Sequence, residues 1–296
     1  MAYTYFPGCC MHGFARHCQD SLRAVFDTLG LELRELKDWN CCGATTYISV
    51  DEDQAFVLAA RNLALAEQAG MEVVAPCTAC FMILKKSQDY LLRYGELREK
   101  VDRALATVGL KFQGKLQIRH PLEILLRDVG VKRLKERVKN PLKGWNVAPY
   151  YGCLIARPYP LGNGATLDNL DAMIPALGAN LVEFPLRDHC CGGSLTGTIE
   201  EVGQRMAYII LHEGKRLKAD VLVTVCPLCQ LNLEAHQGAI KKRFGEDVAT
   251  PIPYFTQLVG IALGIPDKVL GLERLLVPLH SEIIGKRGGA HVGAAA

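Results

Sequence analysis

Cys41-Cys42-Gly43, followed by Val73-Val74-Ala75-Pro76-Cys77-Thr78-Ala79-Cys80, returns 149 residues later as Cys190-Cys191-Gly192, followed by Leu222-Val223-Thr224-Val225-Cys226-Pro227-Leu228-Cys229. One offset shared by two separate motifs marks an internal duplication. Gly8-Cys9 and Gly152-Cys153, with Tyr5, Phe6 and Tyr150, Tyr151 just upstream, extend the repeat at an offset of 144. The first half is therefore five residues shorter between its first and second cysteine motifs, as a loop-length difference would make it. The 296-residue chain divides into two units, 1–144 and 145–296, of ordinary domain size.

In each unit a short apolar run leads straight into the Cys-x-x-Cys, the pattern of a buried strand. Strands are predicted at 3–6, 31–36, 73–75, 146–150, 181–184 and 221–225, with helical patterns between them. That alternation argues for an α/β fold with small, mostly parallel sheets and flanking helices. The acidic pairs Asp51-Glu52 and Glu200-Glu201 mark equivalent helix starts. Helical spacing selects Phe56, Ala59, Ala60 and Leu63 as the buried face of the first helix, and Val202, Met206, Ile209 and Ile210 as that of the second. Both units close on an apolar helix ending at glycine, at 118–130 and 252–264.

Composition narrows the function classes. Apolar residues make up 49%, charged residues 22%, and the formal charge is only +3, so nothing calls for a nucleic-acid partner. The start lacks a basic segment leading into an apolar core, and no stretch reaches the roughly 18 apolar residues of a spanning helix. A cytoplasmic location without direct membrane contact is expected. Twelve cysteines in such a chain point to metal or redox chemistry rather than to a disulfide scaffold.

A helix starting at each Cys-x-x-Cys would turn unpaired N–H groups and its dipole toward the thiolates, and Pro227 suits a first helical turn. Adjacent cysteines point to opposite sides of an extended segment, which suits two metal atoms of one cluster better than one tetrahedral zinc. The glycine after them permits a positive φ or a close approach. Each half offers five thiols, namely Cys9, Cys41, Cys42, Cys77 and Cys80, then Cys153, Cys190, Cys191, Cys226 and Cys229, whereas ordinary clusters take four. Either one thiol per half is free to react, or the cluster is opened into a five-ligand form. Zinc, in one half or as the basis of a redox-inactive scaffold, is the competing use and leaves the fifth thiol unexplained. Cys10 and Cys18 have no counterpart in the second half and read as ordinary thiols.

Tyr5-Phe6-Pro7-Gly8-Cys9, Trp39-Asn40-Cys41-Cys42-Gly43, Pro76-Cys77-Thr78-Ala79-Cys80, Tyr151-Gly152-Cys153, His189-Cys190-Cys191-Gly192-Gly193 and Cys226-Pro227-Leu228-Cys229 together resemble the CCG-domain (cysteine-rich domain) family, which includes the heterodisulfide reductase B-type and B-like subunits. The resemblance implies two CCG domains related by a pseudo-twofold, each with a non-cubane [4Fe–4S] cluster on its five cysteines. It implies a catalytic iron–sulfur subunit, an oxidoreductase acting on sulfur groups, that cleaves a (hetero)disulfide or oxidises thiols, small or protein-bound. The implied partners are a small ferredoxin-like [4Fe–4S] subunit of the C type and a flavin-containing subunit of the A type. CCG domains also serve in succinate/fumarate and glycolate/lactate complexes, so an electron-transfer subunit is the alternative. Ligand cysteines do not set the direction of electron flow.

His189, just before the second Cys-Cys where the first half has Asn40, is the candidate proton donor to a departing thiolate. Lys85, Lys86 and Arg187 are placed to meet a substrate anion, or are surface charges. The basic stretch 131–143 reads as a solvated helix face or a docking face. The other histidines, His120 among them, show no ligand spacing. The segment 270–284 is apolar enough to dock on the body or on a partner, and 285–296 reads as a tail.

Overall fold

The computed structural model describes residues 1–44, 46–157 and 169–279. The first half runs β1 (Ala2–Tyr5), α1 (Gly8–His12), α2 (Arg16–Thr28), β2 (Glu32–Glu35), α3 (Thr46–Val50), α4 (Glu52–Ala69), β3 (Val73–Val74), α5 (Thr78–Arg93), α6 (Gly95–Ala106), β4 (Ile118–Arg119) and α7 (Pro121–Ile124), which passes through a π-helical turn, Leu125–Gly130, into α8 (Val131–Glu136). The second half runs β5 (Asn146–Tyr150), α9 (Cys153–Ala156), α10 (Asn169–Ala176), β6 (Asn180–Leu181), α11 (Glu200–Arg216), β7 (Val221–Thr224), α12 (Pro227–Ala235), α13 (Gln237–Phe244), α14 (Phe255–Leu263) and α15 (Asp267–Leu270). The chain is α/β, as expected.

Every strand pairing is parallel, in sheets ordered β2-β1-β3-β4 and β6-β5-β7. β1, β5 and β7 are covered on both faces, which is why they read as continuous apolar runs rather than alternations. The strand expected at 181–184 is shorter. Only Asn180 and Leu181 hold strand pairing with β5, and the chain turns away at Pro185.

The spacing does not predict β4, which is two residues long. The carbonyls of Arg119 and of Gln117 just ahead of the strand accept from Ala75 and Val73 N–H. The second half repeats this with Pro251 and Pro253 carbonyls accepting from Leu222 and Thr224. Proline has no N–H to give back, so only an isolated bridge, Thr224 to Tyr254, survives there.

The halves interleave. α2 of the first packs on α14 of the second, with Ser21 and Thr256 hydroxyls 2.6 Å apart, while α10 packs on α7 and α8. These contacts are equivalent under the duplication, so a pseudo-twofold relates the halves. The largest buried cluster accordingly draws on both, joining Tyr5, Phe26 and Phe81 to Val223, Tyr254 and Phe255.

α4 buries the expected Phe56, Ala59, Ala60 and Leu63. The expectation for α11 holds for Ile210, which is buried, and in part for Met206, which is half-buried, but not for Val202 and Ile209, which are exposed; the helix otherwise buries Gly203, Gln204, Ala207, Leu211 and Gly214. A Cβ on Gly214 would stand 2.7 Å from Leu222 Cδ1, so α11 approaches its sheet too closely for large residues on that face. Beyond α15, Leu275 and Leu279 are buried and the main chain at Leu276 bonds to Glu234, so this segment docks on the body. The tail reading lies outside the described residues. The charges of 131–143 are exposed around buried Leu134 and Leu142. No helix among the described residues is long and apolar enough to cross a membrane.

Candidate metal centre

Open α/β sheets present ligand sites beyond the carboxyl ends of their strands. Cys9 follows β1, Cys41 and Cys42 follow β2, and Cys77 and Cys80 follow β3. Because β1 lies between β2 and β3, three distant motifs reach one edge of one sheet. Cys153, Cys190 with Cys191, and Cys226 with Cys229 follow β5, β6 and β7 in the same way.

The thiols lie near enough to shift one another's titration in sequence. Cys41 is shifted in this way by Cys42 and Cys9, Cys42 by Cys80, and Cys80 by Cys77. In the second half Cys153 is shifted by Cys190, Cys191 Sγ lies 3.5 Å from Cys229 Sγ, and Cys229 is shifted by Cys226. The two strings meet where Cys77 and Cys226, residues equivalent in the repeat, act on each other. All ten predicted cysteines thus lie at one junction between the halves. Among the described residues no group of three or more His, Cys, Asp or Glu side chains is already gathered to hold a metal ion. A row of soft donors suits a group of several metal atoms better than a lone zinc.

Several of these sulfurs are held toward the thiolate. Hydrogen bonding from Cys42, then Cys9, pulls Cys41 far below the usual thiol range, with the Gly43 N–H helping. Cys190 falls to about 6 through Cys153 and the Gly192 N–H, which lies 3.4 Å from its sulfur. Hydrogen bonds from Cys10, Cys226 and Cys80 lower Cys77. As expected, helices begin at the Cys-x-x-Cys motifs: Cys77 is the N-cap of α5 and Cys226 that of α12, with Pro227 in the first turn.

The glycines carry two distinct roles. Gly43 and Gly192 adopt φ of +80° and +84°, but what approaches them is the next helix, with Ala55 Cα 3.1 Å and Gly203 O 2.7 Å from a would-be Cβ. The glycines that clear space at the thiols are Gly8 and Gly152, whose Cβ atoms would stand 2.9 Å from Cys80 Sγ and 3.1 Å from Cys229 Sγ. A side chain at either place would crowd the sulfur, so the cleared space and its soft donors fit a bound metal group.

A cavity of about 280 Å³ opens beside the second string. Cys153, Cys190, Cys191, Cys226 and Cys229 form one wall, and Ile48, Thr78 and Met82 of the first half face them. These first-half residues escape sequence reading because only the pseudo-twofold packing puts them across from the other half's thiols.

The remaining candidates disperse. The His189 ring is exposed and pairs with Asp188 at 3.3 Å, while its carbonyl accepts from the Tyr150 hydroxyl at 2.7 Å. Lys86 pairs with Glu52 at 2.6 Å and Arg187 with Asp171 at 2.9 Å. Cys18 is buried against Gln230 Oε1 at 2.9 Å, an ordinary core thiol. Cys10, by contrast, touches Cys9 and Cys77, where the second half has Leu154.

Comparison with known proteins follows the same lines. The CCG cysteine-rich domain matches residues 3–85 and again 147–234, one copy per half. This chain belongs to the CCG family. Among CCG relatives, the 8-methylmenaquinol:fumarate reductase membrane anchor subunit of Wolinella succinogenes is 34% identical over 93% of this chain and 96% of its own length. A protein of Archaeoglobus profundus named as like the B subunit of heterodisulfide reductase is 31% identical, covering 91% of this chain and 93% of the relative. The B subunit of the ferredoxin:CoB-CoM heterodisulfide reductase of Methanosarcina mazei is 28% identical over 92% of each. A hypothetical protein from Helicobacter pylori shares the fold with a TM-score of 0.77 at 15% identity, over 95% of this CCG chain and 52% of its own.

Proposed function

We propose that this chain is the catalytic iron–sulfur subunit of a heterodisulfide-reductase-type complex, acting on a disulfide or its thiols. Each half would hold one non-cubane [4Fe–4S] cluster, on Cys9, Cys41, Cys42, Cys77 and Cys80, and on Cys153, Cys190, Cys191, Cys226 and Cys229. The carrying observation is the junction of two equivalent thiol strings at Cys77 and Cys226, beside a cavity both halves line. The names of the Archaeoglobus and Methanosarcina relatives point the same way.

Clusters held there would supply single electrons, two of them together the pair in RSSR′ + 2e⁻ + 2H⁺ ⇌ RSH + R′SH. The chain's own residues prepare the place. Hydrogen-bonded thiolates offer anionic donors, Gly8 and Gly152 keep the space open, and Ile48, Met82, Leu154 and Leu228 make much of the cavity wall apolar. On this reading the partners are a small ferredoxin-like [4Fe–4S] subunit and a flavin-containing subunit, in the cytoplasm.

Metal analysis of anaerobically prepared chain tests the proposal. About eight irons with matching sulfide are expected for two four-iron clusters. Electron paramagnetic resonance (EPR) signals should change when a thiol or disulfide is added. One or two zincs without iron would overturn it.

The fumarate reductase relative favours a second reading, an electron-transfer subunit that relays electrons between a partner dehydrogenase and an acceptor. Cluster spectra would then ignore thiols and respond to the partner's substrate.

A further inference from the structure

His120 and Tyr254 hold the same place in the two halves, one directly after β4 and the other at the bridge beside β7. They converge on the main chain just ahead of the Cys-x-x-Cys motifs. His120 Nε2 lies 3.2 Å from the carbonyl of Pro76 and 3.2 Å from that of Val225, the residues that precede Cys77 and Cys226. The Tyr254 hydroxyl donates to the Pro76 carbonyl at 2.9 Å. His120 is completely buried, with Phe81 and Phe255 rings 6.1 and 5.8 Å away.

The tautomer follows from the partners. Leu122 N–H donates to His120 Nδ1 at 3.2 Å, so Nδ1 carries no proton, and two carbonyls can only accept. Nε2 therefore bears the hydrogen and shares it between the halves. Burial holds the imidazole pKa down to about 4, so the ring stays neutral.

We propose that His120 is a positioning residue common to both thiol sites: its single N–H pins the peptides that enter Cys77 and Cys226, fixing the two Cys-x-x-Cys motifs relative to each other across the pseudo-twofold. The orientation of each of these peptides sets where the following Cβ and sulfur point. Tyr254 reinforces the first-half peptide alone. This inference rests on reading the thiols as cluster ligands.

The test uses three variants of the full chain prepared without oxygen, His120→Phe, His120→Gln and Tyr254→Phe, with each half's EPR signal assigned through Cys42→Ser and Cys191→Ser. His120→Phe should alter both signals at once and speed deuterium uptake about tenfold in both peptides, 76–80 and 225–229, as loss of a buried hydrogen bond would. His120→Gln restores a donor near the Nε2 position and should return both signals to the parent form, whereas Tyr254→Phe should disturb the first-half signal only. A lower melting temperature with unchanged signals, a change confined to one half, or no rescue by glutamine overturns the proposal. If His120→Phe does not fold, the other two variants decide by the same criteria. Deuterium uptake reads the pin without any metal, so a chain found to bind no iron would remove the cluster reading and leave this arm to decide the pin.

Discussion

Cys191 and Cys229 come from different motifs, yet their sulfurs lie 3.5 Å apart. Replacing either should therefore damage the same site. Cys191→Ser and Cys42→Ser should each remove about half of the iron, roughly one four-iron cluster, and leave the other half's signal in place. Cys18→Ser, at the thiol that bonds Gln230 instead, should leave iron content unchanged. Iron analysis with EPR checks all three.

Gly8 and Gly152 combine positive φ, +65° and +72°, with the closest approach to thiols. Gly8→Ala should lower stability by about 1–2 kcal/mol from the left-handed backbone alone. The new methyl group also enters the space beside Cys80 Sγ, so first-half metal should be lost. Gly152→Ala should do the same to the second half. Denaturation curves measured beside metal content separate the backbone effect from the loss of metal.

Glu234 is 5% exposed and accepts N–H bonds from Ile252 and Leu276 at 3.2 Å each. Burial raises its pKa to about 7. A carboxyl with a folded pKa above its unfolded value of about 4.3 binds more protons when folded, so stability falls as pH rises through that window and levels off above it. The full fall is on the order of 3 kcal/mol. Glu234→Gln should flatten it, as urea midpoints measured between about pH 5 and 8 would show.

Asp128 takes two bonds from the Arg119 guanidinium, at 2.7 and 2.8 Å, and a third from the Tyr3 hydroxyl at 2.6 Å. Burial pushes its carboxyl up, but these bonds outweigh it and hold the pKa below the ordinary value. The stabilisation is complete above the carboxylate range and lost as pH falls through it. Asp128→Asn should cost about 2 kcal/mol, because the buried Arg119 guanidinium loses its bidentate partner but keeps Glu72 at 3.1 Å. Chemical denaturation at neutral pH measures this.

β1, β5, β7 and the thiol motifs were legible because doubly covered parallel strands appear as unbroken apolar runs, and the repeat offset matches the motifs of the two halves. α11 misled for a specific reason. Its inward face carries Gly203, Ala207 and Gly214 so that the helix can approach the Gly192 turn and Leu222, and the bulky Val202 and Ile209 that mimic a core stripe face outward. β4 and His120 were invisible for another. Two residues make no periodicity, and the partners of His120 are main-chain atoms, which leave no trace in side-chain patterns.

The exchange of helices between halves bears on history. A lone unit folded this way would lack the helix that covers α14 or α7, a gap that a second identical copy would fill as a homodimer. Joining two copies in one chain makes such an assembly independent of concentration, and it also releases the copies from identity. Cys10 against Leu154, Asn40 against His189 and β4 against the proline-blocked edge are differences that an exchangeable homodimer, with every mutation written twice, had no means to acquire.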